Sequence, residues 1–148
     1  MNRRTVLFIC THNSSRSIMA EAILRELGGD RFEAISAGTL PRGAHPLALK
    51  VLEEKEFGTE GLRSRSVEEF QGREVDLVIT LCDTAKVACP LFPGAKQYWH
   101  KAFEDPSEGG VDGMEQLERF RRTRDEIVAY LSLNLIGKDL SVLNMDGT

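Results

Sequence analysis

The segment Cys10-Thr11-His12-Asn13-Ser14-Ser15-Arg16-Ser17 sets a thiol, a polar loop and an arginine directly behind the apolar run Val6-Leu7-Phe8-Ile9. A chain that leaves a buried strand and enters a helix through a short polar loop turns successive backbone N–H groups toward one point. The positive end of the helix dipole adds to their field. The spacing therefore predicts an oxyanion cradle formed by Thr11, His12, Asn13, Ser14 and Ser15, with the Cys10 sulfur at its floor. Arg16 offers a planar fork that matches two oxygens of a tetrahedral dianion. The same field favours the thiolate, the nucleophilic form of Cys10, and Ser17 is placed to donate a hydrogen bond to the sulfur. His12 is read as packing the loop, and Asn13 as holding its shape through side-chain hydrogen bonds. A buried cysteine and a surface arginine on an ordinary turn would not require the polar stretch between two apolar segments.

Thr80-Leu81-Cys82-Asp83-Thr84-Ala85-Lys86-Val87-Ala88-Cys89-Pro90 carries two more thiols, the first just behind another apolar run, Val75 to Leu81. Three cysteines, an odd number, in a chain expected to be cytoplasmic read as chemistry before they read as structural bridges. A zinc site joining them to His100 is not expected, because no close C-x2-C pair occurs; no bound metal or cofactor is predicted. A net charge of −4 argues against nucleic acid or an anionic membrane as partner. The apolar run after Met1-Asn2-Arg3-Arg4 is too short for a signal peptide or a membrane span. The 148 residues fit one domain, 1–148, with 138–148 as a tail and a monomer as the expected state.

These groups need a scaffold. Val6 to Ile9 suits a central parallel strand covered on both faces. Apolar pairs at 18/22, 19/23 and 23/27 give one face of a helix that begins at Ser17 and stops at Gly28-Gly29. Phe32 to Ala37 reads as a second strand. Pro46 opens a helix that closes by Phe57-Gly58. Ser66-Val67-Glu68-Glu69 has capping-box spacing, and Val75 to Leu81 is the third clear strand. A weak fourth follows around Gln97-Tyr98-Trp99, then a polar loop with Asp105-Pro106, then a long helix from Asp112 to Leu135. The basic stretch of that helix, Arg119, Arg121, Arg122 and Arg124, is matched by Glu115, Glu118, Asp125 and Glu126, so a solvated salt-bridged face is predicted. Strands alternating with helices imply an α/β doubly wound parallel sheet. Ligands bind at the carboxyl ends of such strands, so if the first and third strands are neighbours, Cys10 and Cys82 share one rim of the sheet.

The Cys-x5-Arg-Ser loop resembles that of the low-molecular-weight protein tyrosine phosphatases and of the arsenate reductases that share their fold. The segment around Cys82 and Cys89 looks like the paired-thiol segment of the thioredoxin-coupled reductases, and Asp105-Pro106 falls where both groups carry a general acid. The resemblance spans nearly the whole chain. It implies a single three-layer domain with a four-stranded parallel sheet flanked by helices, and an arsenate reductase with arsenate as substrate and phosphate or sulfate as competing oxyanions. It further implies that Cys10 attacks the oxyanion, Cys82 attacks Cys10, Cys89 moves the disulfide to 82–89, and thioredoxin reduces it as an external reductant. Bridging 82 to 89 brings Cα atoms within roughly 7 Å, so the segment is expected to loop out or unwind during the cycle. Some of these reductases bind potassium beside the loop, through positions matching Asn13, Glu21, Ser36 and an acidic residue that is Arg65 here. Arg65 is accordingly expected to pair with Glu21 and replace the ion. The alternatives are a phosphoester hydrolase in which Cys82 and Cys89 protect Cys10, and a thiol-based arsenic or redox sensor.

Overall fold

The computed structural model describes residues 3–81, 94–108 and 113–137. Cys82, Cys89, Asp112 and the 138–148 tail lie outside them.

Four strands, β1 (Arg4–Cys10), β2 (Phe32–Gly38), β3 (Val75–Thr80) and β4 (Ala95–His100), form a parallel sheet in the order β2-β1-β3-β4. Val6 is in register with Ala34 on one side and Leu77 on the other. The first and third strands are thus neighbours, as the shared-rim argument required. The strand order reverses between them, which is where open α/β sheets bind ligands. β4 is an edge strand whose residues alternate between exposed and half-buried, and this explains its weak sequence signal: one ladder and partial cover leave Lys96, Tyr98 and His100 to water.

Alternation along the strands feeds two apolar clusters. Val6 and Phe8 of β1 and Leu77 and Ile79 of β3 pack with α1 (Arg16–Gly28), α2 (Pro46–Glu54) and α3 (Gly113–Leu131), contributing Ile23, Leu52 and Phe120 among others. Leu7 and Ile9 face the other way, toward Ile35, Val78 and Phe70. Burying each such side chain is worth about 1.5–3 kcal/mol. The single apolar face predicted for α1 is an underestimate. Every residue from Arg16 to Leu24 is buried, because the sheet covers one side of the helix while α2 and α3 cover the other. Polar groups at Ser17 and Glu21 are therefore forced to find partners inside the protein.

Local signals place the boundaries. Gly29 ends α1 at φ 54°, a left-handed value that suits glycine. Pro46 starts α2, and the His45 side chain caps it by accepting from the Leu47 N–H at 3.1 Å. The Ser66–Glu69 capping box is formed, over a 3₁₀ turn Val67–Phe70. The long helix ends as an α-helix at Leu131 and widens into a π turn, Ser132–Ile136, closed by Gly137 N–H to the Ser132 carbonyl at 3.0 Å.

The basic stretch of α3 forms two of the expected pairs, Arg121 with Glu118 and Arg124 with Asp125, but its face is not simply solvated. Arg124 is buried and donates to the Val51 carbonyl at 2.9 Å and to Glu54 at 3.1 Å. Arg121 adds two bonds to Glu54, at 3.0 and 2.8 Å, and these hold the Glu54 carboxyl down at about 2. The arginines face the C-terminal end of α2, where open carbonyls favour cations, so this face joins two helices. No helix among the described residues is long and apolar enough to cross a membrane.

Candidate active site

Cys10 is the last residue of β1 and is buried. The five residues after it return the chain to the start of α1. This tight return needs glycine on the neighbouring strand. A Cβ on Gly38 would stand 2.6 Å from the Thr11 carbonyl oxygen, 2.8 Å from the Asn13 nitrogen and 2.9 Å from the Cys10 carbonyl oxygen.

The loop is held from outside by its carbonyls. Thr11 O accepts from Leu40 N–H at 2.8 Å, His12 O from Arg42 N–H at 3.0 Å, Ser14 O from His45 N–H at 2.9 Å, and Ser15 O from Met19 N–H at 2.9 Å. Ser64 Oγ donates to both His12 O and Asn13 O, at 3.0 and 2.6 Å. A trans peptide points its carbonyl and the following N–H in opposite directions. With the carbonyls of Thr11 to Ser14 engaged by residues outside the loop and that of Ser15 by the first turn of α1, the N–H groups that follow are directed away from those partners, as an anion cradle requires. Ser15 fits the same picture: it precedes α1 without capping it, and its buried hydroxyl has no hydrogen-bond partner among the described residues.

Arg16 is buried, with Nη1 donating to the carbonyls of Leu81 at 3.3 Å and Phe103 at 3.1 Å. Its Nη2 stands 3.7 Å from Asp105 Oδ2. The Asp105 carboxylate is in turn fixed by the Ser107 N–H at 2.9 Å and the Ser107 hydroxyl at 2.7 Å. Arg16 and Asp105, distant in sequence, therefore meet at the mouth of the cradle. The carbonyls of Phe103, unnamed in the sequence reading, and of Leu81, named there only in its strand and beside Cys82, aim the guanidinium. Burial and then the Arg42 guanidinium lower the His12 ring below its usual range. Burial also lowers His45, consistent with its Nδ1 acting as an acceptor.

A chain of buried polar groups runs inward from the sulfur. Cys10 Sγ and Ser17 Oγ are 2.9 Å apart. Asn13, buried at a left-handed φ of 45°, donates from Nδ2 to Ser17 Oγ at 2.7 Å and to Ser36 Oγ at 3.0 Å. The Ser36 hydroxyl donates to Glu21 Oε1 at 2.6 Å. The Arg65 backbone N–H donates to Asn13 Oδ1 at 2.7 Å, and this fixes which end of the amide is the donor. A Cys10 thiolate can only accept, so in that form the Ser17 proton goes to the sulfur while Ser17 Oγ accepts from Asn13. Asn13 thus does more than hold loop shape.

The expected Arg65–Glu21 pair does not form. The Arg65 guanidinium donates to the Gly61 carbonyl at 3.5 Å, and the residue paired with Glu21 Oε2 is Arg25. The sequence signal was available: a glutamate within an apolar helix with an arginine four residues on. A potassium ion does not fit this donor set, because Asn13 Oδ1, Ser36 Oγ and both Glu21 oxygens already have protein partners and two guanidinium groups stand nearby. The melting temperature is therefore expected to be indifferent to exchanging sodium for potassium at constant ionic strength. A potassium-specific rise, the mark of an ion bound only by the folded state, would contradict it.

Comparison with known proteins adds to this geometry. A sequence model of the family described as low molecular weight phosphotyrosine protein phosphatase matches residues 5–135. An arsenate reductase of Halalkalibacterium halodurans is 36% identical over 127 residues, covering 86% of this chain and 91% of the relative. The solved structure of an arsenate reductase in the phosphate binding state superposes with a TM-score of 0.77 at 30% identity, covering 90% of this chain and 97% of the other. A thioredoxin-dependent arsenate reductase of Corynebacterium glutamicum gives a TM-score of 0.59 at 31% identity, covering 88% of this chain and 63% of the other.

Proposed function

The chain belongs to the low molecular weight phosphotyrosine protein phosphatase family, and from that premise we propose that it is an arsenate reductase recycled by thioredoxin. The observation that carries this reading is the Arg16 bond to the Leu81 carbonyl. It ties the cradle to the residue that immediately precedes Cys82 in the chain, and so supports a second thiol acting on the first. Cys82 and Cys89 themselves lie outside the described residues; their part rests on the sequence and on the relatives named above.

In the proposed cycle arsenate enters the cradle between the loop N–H groups and Arg16. The Cys10 thiolate attacks arsenic, an As–OH bond breaks, and Asp105 passes to the departing oxygen a proton taken up from solvent, so that it leaves as water. The Cys82 thiolate then attacks the Cys10 sulfur. The S–As bond breaks with its electron pair going to arsenic, which leaves as arsenite, and a 10–82 disulfide forms. Cys89 attacks Cys82, freeing Cys10 as thiolate, and the 82–89 disulfide is reduced by the dithiol of thioredoxin.

The same cradle would accept phosphate, which differs little from arsenate in charge and shape, so phosphoester hydrolysis is the second reading. Measuring arsenite released against thioredoxin oxidised, beside phosphoester hydrolysis, separates them. One arsenite per thioredoxin disulfide is expected. Phosphoester turnover without arsenite would establish the phosphatase, and arsenical binding without turnover a sensor.

A further inference from the structure

We infer that Arg25, near the end of α1, is a positioning residue for Cys10, acting through the buried chain Glu21–Ser36–Asn13–Ser17. The inference rests on the reading of Cys10 as the attacking group. Arg25 is the member of the chain that reaches water: its side chain is 37% exposed, whereas that of Glu21 is wholly covered. Its Nη1 is anchored on the Glu60 carbonyl at 3.0 Å, and Nη2 is paired with Glu21.

The direction of each link is set by Glu21 at one end and, in the middle, by the Arg65 N–H that fixes the Asn13 amide. A Glu21 carboxylate can only accept, so Ser36 must give its proton to it. Ser36 then receives Asn13, whose other amide hydrogen goes to Ser17, and the Ser17 proton is left for the sulfur. The bond that closes the chain, Ser36 to Glu21, is strongest while Glu21 is charged, and each bond of such a chain strengthens its neighbour. Burial pushes the Glu21 carboxyl above its usual range, and the Ser36 bond and the guanidinium groups of Arg25 and Arg65 work against burial. Without Arg25, Glu21 Oε2 loses its cation and burial favours the neutral carboxyl; Oε1 still accepts from Ser36, but without the charge that strengthens that bond, and the chain that ends at Cys10 is weakened.

The test compares Arg25→Met and Arg25→Lys in the full chain. The readouts are the rate at which iodoacetamide alkylates Cys10, followed on its own peptide by mass spectrometry, and the ultraviolet absorbance of the thiolate. Arg25→Met is expected to slow alkylation about fivefold and to lower kcat for arsenate with KM little changed. Arg25→Lys should restore both. Folded Arg25→Met protein alkylated at the wild-type rate would overturn the inference, as would a lysine variant as slow as the methionine one. Should Arg25→Met not fold, Ser36→Ala cuts the same chain at its middle: slowing supports the inference and a wild-type rate overturns it. If the wild type alkylates readily but reduces no arsenate, the proposed function falls, while the alkylation comparison still decides the role of Arg25.

Discussion

Replacing Cys10 by serine is expected to abolish arsenate reduction and any phosphoester hydrolysis together, each by roughly four orders of magnitude or more. A serine hydroxyl is almost wholly un-ionised at neutral pH, and the group bonded to the residue 10 side chain, Ser17, is a hydroxyl and not a base. Arg16 and the loop N–H groups favour negative charge that is already present. The cradle itself is unaltered by one sulfur-to-oxygen change, so phosphate should still raise the melting temperature of Cys10→Ser protein by binding its folded state. Arsenite release, phosphoester hydrolysis and the phosphate-dependent melting shift, taken together, check the claim. Turnover within tenfold of wild type in a folded Cys10→Ser protein would place the nucleophile elsewhere.

Cys82→Ser should instead separate the two chemistries. Phosphoester hydrolysis needs the cradle, Cys10 and Asp105 and is expected to continue near the wild-type rate. Arsenate turnover is expected to fall to background, because arsenic attached to Cys10 then has no thiolate to deliver the electron pair. Cys89→Ser should stall one step later, after a single arsenite, with a 10–82 disulfide that peptide mapping can locate. Wild-type turnover of arsenate with thioredoxin by Cys82→Ser protein would refute the relay. A free Cys89 in fully oxidised wild type would reduce it to two cysteines resolved by an external thiol.

Much of the scaffold was legible because its determinants are local. The run Val6 to Ile9, the stop at Gly29, Pro46 opening α2 and the Ser66–Glu69 box each act within a few residues, through strand or helix periodicity or a cap. The same holds for the cradle, whose thiol, polar loop and arginine are contiguous. Their residue types state the chemistry before any fold is known.

Contacts between segments were not legible in this way. Nothing in the stretch Thr11 to Ser15 says that its carbonyls are held by residues 40, 42, 45 and 64, or that Arg16 is aimed by the carbonyls of Leu81 and Phe103. Asn13 gained its role from Ser36 on β2 and from the backbone of Arg65. The choice between Arg25 and Arg65 as partner of Glu21 shows the principle. Both carry the same charge, but Arg25 lies one helical turn away on the same face of α1, whereas the Arg65 guanidinium bonds the Gly61 carbonyl. Arg124, read as part of a solvated face, was buried by the approach of α2. Residue type and local period determined which elements form and what the cradle attracts. Packing of those elements decided which polar group meets which, because a buried donor or acceptor takes the partner within hydrogen-bond reach, and in this protein that reach is set by how the helices and strands lie on one another.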